Sequence, residues 1–276
     1  MKSVLSYVLF GNNYRYWGNI PYLLVANSAI YPEFYMRFFV HADATACSGF
    51  SVLQEVAKIN DKIEIEIIDE PYQDTQPTTW RMKPLWDENV DLLLCRDLDY
   101  GILRIERESV EYFMKQDESV VHGIRSYHLH TAPYMAGLCG FKTEEVLKIV
   151  KSKSPDFESY LDWGRENVDY CSNWRWGCDQ ALLRDFFRAC KLYPLSMDCP
   201  QMTAPNTISY FNANLVHEDT YKGIALSNCN EQALDFSSSI NAEFTGGFWA
   251  CSVNNLRTLC DIINNSTSQL IKDISC

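Results

Sequence analysis

Several features that place chains in well-known classes are missing from this 276-residue sequence. No apolar run approaches the ~20 residues that a membrane-spanning helix needs, and residues 1–10 do not read as a signal peptide. The eleven cysteines include no Cys-x-x-Cys pair and no zinc-like spacing. There is neither a Gly-x-Gly-x-x-Gly element nor the Lys-Ser/Thr of a phosphate-binding loop. We therefore expect a cytoplasmic protein with reduced thiols, without a transmembrane segment or a disulfide framework.

Positive charge is also scarce. Lysine and arginine number 24 against 36 aspartates and glutamates, which gives a net charge of -12. This balance argues against a broad binding surface for DNA or anionic membranes, and leaves nucleic acid as a minority partner. With 47% hydrophobic and 22% charged residues, the composition is that of a globular protein. The length fits one large domain, or one domain with an appendage.

Strand-like and helix-like segments alternate along the first two thirds of the chain. This order predicts an α/β fold of the Rossmann type, with a mixed, mostly parallel sheet sandwiched by helices. The predicted strands lie at residues 3–10, 34–41, 62–68 and 120–125, and a central strand lies within residues 90–100. The predicted helices lie at residues 20–29, 51–59, 105–115, 143–150, 181–190 and 254–273, whereas 73–79, 136–140 and 196–214 are predicted to be loops.

The strongest chemical signal lies at residues 90–100. An apolar run of about five residues, typical of a strand covered on both faces, ends in Arg96-Asp97-Leu98-Asp99. In an extended chain, side chains two positions apart project to the same side. Open α/β sheets bind ligands at this carboxyl edge, where two carboxylates suit Mg²⁺ or Mn²⁺ bound to a substrate phosphate. The alternative is that Asp97 and Asp99 only cap the next helix.

Four other segments carry candidate chemistry. A turn-rich loop follows the first strand at residues 11–18, and residues 122–130 contain three of the five histidines. The histidine segment is open to three interpretations: a metal site, a loop that contacts phosphate or sugar, or imidazoles bonded to backbone carbonyls. Gly137 and Gly140 allow the backbone to approach a ligand closely. Asp179 precedes a helix, whose dipole favours the ionised carboxylate, and a capping role there does not exclude catalysis.

The order of these segments resembles that of nucleotide-sugar-dependent glycosyltransferases of the GT-A fold. It is most similar to a bacterial and viral group with an Arg-Asp-x-Asp motif. The resemblance covers about residues 4–187 and rests on these elements in order: the Gly11-Asn12 loop, Trp80-Arg81, Arg96 to Asp99, Arg107 to Val110, His122 to His130, Ala136 to Gly140, and Asp179-Gln180. The chain departs from the group at Tyr100-Gly101 and at Leu138-Cys139, and these differences bear on the donor sugar and the acceptor.

The resemblance implies a metal-dependent transfer of a sugar from a UDP- or GDP-sugar to a hydroxyl of a glycan or another acceptor. It implies that Mn²⁺ or Mg²⁺ is held by Asp97 and Asp99, with His217 as a third ligand, and that Asp179 lies near the anomeric carbon. The donor-binding residues it implies are Gly11, Asn12, Tyr16, Arg81, Arg96, Asp97, Gly137, His128 and His130. We also expect residues 1–195 to form the catalytic domain, and 196–276 to complete the acceptor side in the same globule. For a viral member, the expected location is the host cytoplasm.

Two other classes of function are open from the sequence alone. One is a different metal-dependent enzyme that handles phosphoryl groups, such as a nucleotidyltransferase or a sugar-nucleotide hydrolase. The other is a carbohydrate-binding relative without catalytic activity. In a binding relative without activity, replacing Asp99 would leave ligand binding unchanged. The glycosyltransferase and the phosphoryl-handling enzyme both require a metal at the Asp-x-Asp motif.

Overall fold

A computed structural model describes residues 1–99, 104–115, 117, 119–124, 135–192, 207–210, 243–245 and 248–250. The strands are β1 (Lys2–Leu9), β2 (Tyr35–His41), β3 (Ile63–Ile68), β4 (Val90–Arg96), β5 (Val121–Ile124), β6 (Leu138–Lys142), β7 (Thr207–Tyr210), β8 (Glu243–Thr245) and β9 (Phe248–Ala250). The α-helices are α1 (Tyr14–Trp17), α2 (Ile20–Ile30), α3 (Ser48–Ala57), α4 (Arg104–Met114), α5 (Thr143–Val150), α6 (Phe157–Asn167) and α7 (Cys178–Ala189). Three 3₁₀ segments lie at Ala42–Ala46, Gln76–Trp86 and Asp169–Cys171.

The chain divides into two compact units, each made of several segments. The first unit comprises residues 1–8, 70–97 and 108–216, and the second comprises 9–69, 98–107 and 217–276. In the first unit the strand order is β1-β4-β6-β5-β7; β6 runs antiparallel to β4 and β5, and the pairs β1/β4 and β5/β7 are parallel. In the second unit β2 and β3 are parallel, and β8 and β9 are antiparallel. The predicted α/β fold with a mixed sheet is therefore confirmed, whereas the division at residue 195 stays a prediction.

Strand β4 is the centre of the first unit. Every residue from Val90 to Arg96 is buried except Asp91, and β1 and β6 flank the strand on its two edges. Helix α5 is tied to it because the hydroxyl of Thr143 donates to the carbonyl oxygen of Val90. The apolar run therefore forms the covered strand that its composition predicts, and its carboxyl end presents Asp97.

Two segments predicted to be loops contain strands. Leu138–Lys142 forms β6. Gly140 lies in that strand opposite Leu94 of β4. The position needs a glycine because a Cβ there would sit 2.6 Å from Cδ2 of Leu94. Thr207–Tyr210 forms β7 within the segment predicted as the loop 196–214. The predicted loop 73–79 also differs, since a 3₁₀ helix begins at Gln76. The predicted terminal helix at 254–273 lies outside the described residues.

The expectations about a transmembrane segment and about reduced thiols can be compared with the described part of the chain. No helix in it is long and apolar enough to cross a membrane. All six cysteines in this part carry free thiols: Cys47, Cys95, Cys139, Cys171, Cys178 and Cys190. Each of them is buried, in keeping with a thiol that packs as a small apolar group.

His122, the first residue of the histidine segment, is a core residue. It is fully buried in β5, and its ring stacks on Phe113 with centroids 5.1 Å apart. Burial, together with the nearby charge of Arg96, lowers the pKa of His122 to about 3. His122 is therefore a neutral imidazole in the core, and the three interpretations stay predictions for His128 and His130, which lie outside the described residues.

We expect His122 to make the fold sensitive to acid. In the unfolded chain His122 takes up a proton below pH ~6.5, whereas in the folded chain it does so only near pH 3. The unfolding free energy therefore falls as the pH drops from about 6.5 towards 3. The unfolding free energy of wild type should fall between pH 7 and pH 5 by about 2 kcal/mol more than that of His122→Gln. Urea unfolding at both pH values measures this difference, and an equal fall in both proteins would contradict it.

Candidate active site

Arg81, Asp97 and Asp179 meet in the first unit and form what we call the Arg81 cluster. The Nη1 of Arg81 donates to Oδ1 of Asp97, the residue directly after β4. Its Nη2 lies 3.5 Å from Oδ2 of Asp179, in the first turn of α7. Its Nε donates to the carbonyl oxygen of Thr78 at 2.8 Å, which fixes the guanidinium. One side chain thus joins two carboxylates from distant parts of the sequence.

Burial makes the electrostatics of this cluster strong. Arg81 is 5% exposed, and burial alone would lower its pKa, but the charges of Asp97 and Asp179 outweigh that effect and raise it. For Asp179 the main effect is burial, which raises the pKa of the carboxyl; Asp97 raises it further, and Arg81 opposes both. Arg81 therefore stays charged, while Asp179 accepts a proton more readily than an ordinary aspartate.

Gly137 leaves room for the Asp97 carboxylate. A Cβ at residue 137 would lie 1.9 Å from Oδ2 and 2.1 Å from Cγ of Asp97. The approach arises because β6 pairs with β4 so that Leu138 stands opposite Arg96. The backbone of residue 137 therefore lies directly against the carboxylate, and any side chain there would displace it.

Gly137→Ala should remove the function of Asp97 without removing the residue. The added methyl group would push the carboxylate away from Arg81, and misplacing a binding group by about 1 Å costs on the order of 100-fold in rate. We expect a loss of that size in the hydrolysis of a nucleotide-sugar donor. Circular dichroism of the variant checks that the fold is kept, and a correctly folded variant with wild-type hydrolysis would contradict the prediction.

Asp99 has a separate set of partners in the second unit. Nη2 of Arg15 lies 2.6 Å from Oδ2 of Asp99; the arginine side chain is 62% exposed and the aspartate 16%. The backbone next to Asp99 is held by Asn19, whose Nδ2 donates to the carbonyl oxygen of Leu98 at 2.6 Å. The backbone that carries the carboxylate is therefore held in place, and the cation paired with it is an exposed side chain.

The loop after β1 is organised by a residue that the sequence did not single out. Gly11 has a φ of +65°, a conformation that favours glycine, and its N–H donates to Oδ1 of Asp43 at 3.0 Å. Asp43 follows β2 at its carboxyl end. Asn12 is exposed, and the Arg15 guanidinium lies 5.9 Å from the ring centroid of Tyr16. The rule that pointed to Asp97, a carboxylate after a buried strand, would also have found Asp43.

The remaining predicted site residues are placed differently or lie elsewhere in the chain. Arg96 is 1% exposed, and its Nη1 donates to the carbonyl oxygens of Cys95 at 2.7 Å and Cys139 at 2.9 Å. Of the two arginines predicted to contact phosphates, Arg81 is thus the one that lies against the carboxylates. His128, His130 and His217 lie outside the described residues.

A divalent ion that also binds a substrate phosphate needs few protein ligands. Within the described ranges, no group of three or more His, Cys, Asp or Glu side chains could hold a metal. Mg²⁺ commonly binds one or two carboxylates and completes its shell with water and substrate phosphates. Asp97, whose side chain is 42% exposed, offers one such carboxylate in the first unit.

Comparisons with known proteins give likenesses among solved structures alone. No protein-family profile matches the chain, and no curated protein sequence does so either. Among solved structures, it is similar to the mannosyltransferase PcManGT from Pyrobaculum calidifontis, solved in complex with GDP-Man and Mn²⁺. That match has a TM-score of 0.40 and 12% identity, and covers 98% of this chain and 84% of that one. At this TM-score we draw no conclusion from it about donor, metal or residue roles.

Proposed function

We propose that the chain is a metal-dependent glycosyltransferase that moves a sugar from a UDP- or GDP-sugar to a hydroxyl group of an acceptor. The observation that carries the proposal is the Arg81 cluster. A transferase of this kind needs one carboxylate on the donor side and another beside the reacting carbon. Arg81 contacts both Asp97 and Asp179 at the carboxyl end of β4, where open α/β sheets bind ligands, and this pair of carboxylates supports the proposal.

Asp97 and Asp99 would hold the metal, and His217 is a candidate third ligand. When bound, a divalent ion stabilises the negative charge that develops on the diphosphate leaving group. The Arg81 guanidinium fixes the orientation of Asp97 through Nη1, and Gly137 leaves room for the carboxylate. The loop from Gly11 to Tyr16 would contact the base of the nucleotide, with Asp43 holding Gly11 in place.

Asp179 is the proposed catalytic residue. Its raised pKa gives the carboxylate more basic character than an exposed aspartate has, while the charge of Arg81 favours its ionised form. In an inverting transfer it takes the proton of the acceptor hydroxyl. In a retaining transfer it stabilises the oxocarbenium-like state or attacks the anomeric carbon. Both courses need the same carboxylate in its ionised form.

Arg15 should compete with the metal for Asp99. An exposed ion pair is worth up to about 1 kcal/mol, so removing Arg15 should tighten Mn²⁺ binding by about two- to fivefold. We expect this gain for Arg15→Gln in titrations followed by electron paramagnetic resonance of free Mn²⁺. Arg37→Gln, which breaks the Arg37–Glu64 pair of the same unit, is the matched control and should bind Mn²⁺ as wild type does. Weaker binding by Arg15→Gln would show that Arg15 does not occupy a metal ligand.

Slow hydrolysis of the donor in the absence of an acceptor is the direct test of the proposed function. A panel of UDP- and GDP-sugars with Mn²⁺ should show turnover of at least one donor, which is lost with EDTA and in Asp97→Asn. A nucleotidyltransferase would instead consume nucleoside triphosphates, and a binding module would hydrolyse neither. Turnover of the donor that persists in Asp97→Asn would reject the proposed site.

A further inference from the structure

The first unit contains a cavity of about 560 Å³ that is separate from the residues of the Arg81 cluster. It lies among the chain segment before the 3₁₀ helix Gln76–Trp86, helix α6, and the turn that leads to α7. Pockets for small ligands typically measure about 300–1,000 Å³, so this one is large enough for one or two sugar units. Its polar lining residues include Glu70, Gln73, Gln76, Glu158 and Ser172.

The charges around the cavity exclude an anionic ligand. Glu70 and Glu158 are exposed carboxylates on its wall. The one lining arginine, Arg165, pairs with Asp162 and lies 5.6 Å from the ring centroid of Trp174. A nucleoside diphosphate would meet two negative groups and a cation that is already engaged. The cavity is therefore unsuited to the donor nucleotide.

The hydrogen-bonding groups on the cavity wall favour a ligand with hydroxyl groups over a cationic ligand. The backbone N–H of Gln73 donates to Oε1 of Gln76 at 3.2 Å, which orients that amide and leaves its NH₂ as a donor. The wall thus offers an amide donor beside the carboxylate acceptors Glu70 and Glu158. A hydroxyl group uses both kinds of partner, whereas an ammonium group uses acceptors alone. Trp80, Trp174 and Leu161, which are 5%, 3% and 3% exposed, contribute only small apolar edges to the wall, so polar groups would supply most contacts with a ligand.

Backbone strain marks the wall of this cavity. Trp174 has a φ of +51°, which is rare for a bulky residue, and Asp74, next to Gln73, has a φ of +43°. The strained tryptophan is held by Thr75, whose backbone N–H and hydroxyl donate to its carbonyl oxygen at 3.0 and 2.8 Å. Strain of this kind costs about 1–3 kcal/mol per residue and clusters where ligands bind. Two strained residues on facing segments of one cavity are independent support for a ligand site.

We propose that this cavity binds a neutral glycan, namely one or two sugar units of the acceptor; the role as acceptor rests on the proposed function. The turn that carries Trp174 continues directly into Cys178 and Asp179 at the start of α7. Cys178 lies beside the same Thr75, with Sγ 3.6 Å from its hydroxyl oxygen. A sugar bound in the cavity therefore contacts the turn that positions the proposed catalytic carboxylate.

Titration of the full chain with neutral disaccharides, without nucleotide or metal, tests the cavity. The probes are maltose, cellobiose, lactose and mannobiose, observed by saturation-transfer NMR and by tryptophan fluorescence. We expect at least one to bind, and its affinity to fall about fivefold in Gln76→Ala, which removes one neutral donor. Glu158→Gln changes an exposed residue that the fold does not need, and should weaken binding as well. Glu166→Gln, on the exposed part of the same helix, is the matched control and should bind as wild type does.

The outcomes separate this inference from the proposed function. Failure of all four disaccharides to bind, or binding unchanged in both variants, would overturn it, and so would tighter binding of tetralysine than of any sugar. None of these results would affect donor hydrolysis, since the titration contains neither nucleotide nor metal. Disaccharide binding in a protein that hydrolyses no donor would keep the glycan site and reject the transferase.

Discussion

Replacing Arg81 with glutamine should destabilise the protein by about 3 kcal/mol and abolish donor hydrolysis. The substitution leaves Asp179 buried beside Asp97 without the cation that both share. Breaking a buried pair from one side typically costs about 3–5 kcal/mol, and the lower end applies because Asp97 is 42% exposed and keeps part of its hydration. Urea unfolding measures the change in stability.

The pH dependence of this loss identifies its cause. Without Arg81 the pKa of Asp179 should rise further, because burial and Asp97 then act unopposed. As the pH falls and Asp179 takes up a proton, the stability gap between wild type and Arg81→Gln should narrow. As a control, Lys58→Gln breaks the exposed pair of Lys58 with Glu55 and should cost less than about 0.5 kcal/mol. A gap that does not change with pH would mean that Arg81 acts through packing alone.

Asp179→Asn should lower the rate of transfer by about 10²- to 10⁴-fold, because it removes the proposed general base while keeping the shape of the side chain. Nucleotide binding should change little, since Asp97 and Arg81 remain. Asp185→Asn, on the same helix and paired with Arg184, is the matched control and should transfer at the wild-type rate. The measurement is the rate of sugar transfer, or of donor hydrolysis, at saturating donor.

The pH profile of the wild-type rate provides a second check on Asp179. The residue works in its ionised form, and its raised pKa means that activity should fall on the acid side at a higher pH than for an ordinary aspartate. Asp179→Asn should lose this acid limb. A full rate in Asp179→Asn, or an unchanged acid limb, would place the catalytic carboxylate elsewhere.

The parts of this account that were predictable from the sequence are local ones. The apolar run within residues 90–100 predicted the covered strand that became β4, and the Asp-x-Asp pair pointed to its carboxyl end because strand geometry is local. Asp179 at the start of a helix was found for the same reason. The resemblance to glycosyltransferases named Arg81 and Gly137 without showing what they contact.

The contacts themselves depend on pairings between distant segments, which a single sequence does not reveal. Arg81 meets Asp179 only after α7 has packed near the 3₁₀ helix, and Gly137 meets Asp97 only in the antiparallel register of β6. Gly140 was predicted to lie in a loop, yet it lies in a strand that pairs with β4. A glycine is needed there because the Leu94 side chain fills the space next to it. Arg15 and Asp43 were missed because surface loops with single charges are common, and only the fold shows which charges meet.

Manganese binding in the presence of UDP or GDP tests the central claim most directly. Electron paramagnetic resonance of Mn²⁺ should show that the nucleoside diphosphate increases the binding of the ion to wild type. The double variant Asp97→Asn, Asp99→Asn should lose this nucleotide-dependent binding, because both proposed metal ligands are gone. Equal binding by wild type and the double variant, or no effect of either nucleotide on wild type, would contradict a metal and diphosphate site at the end of β4.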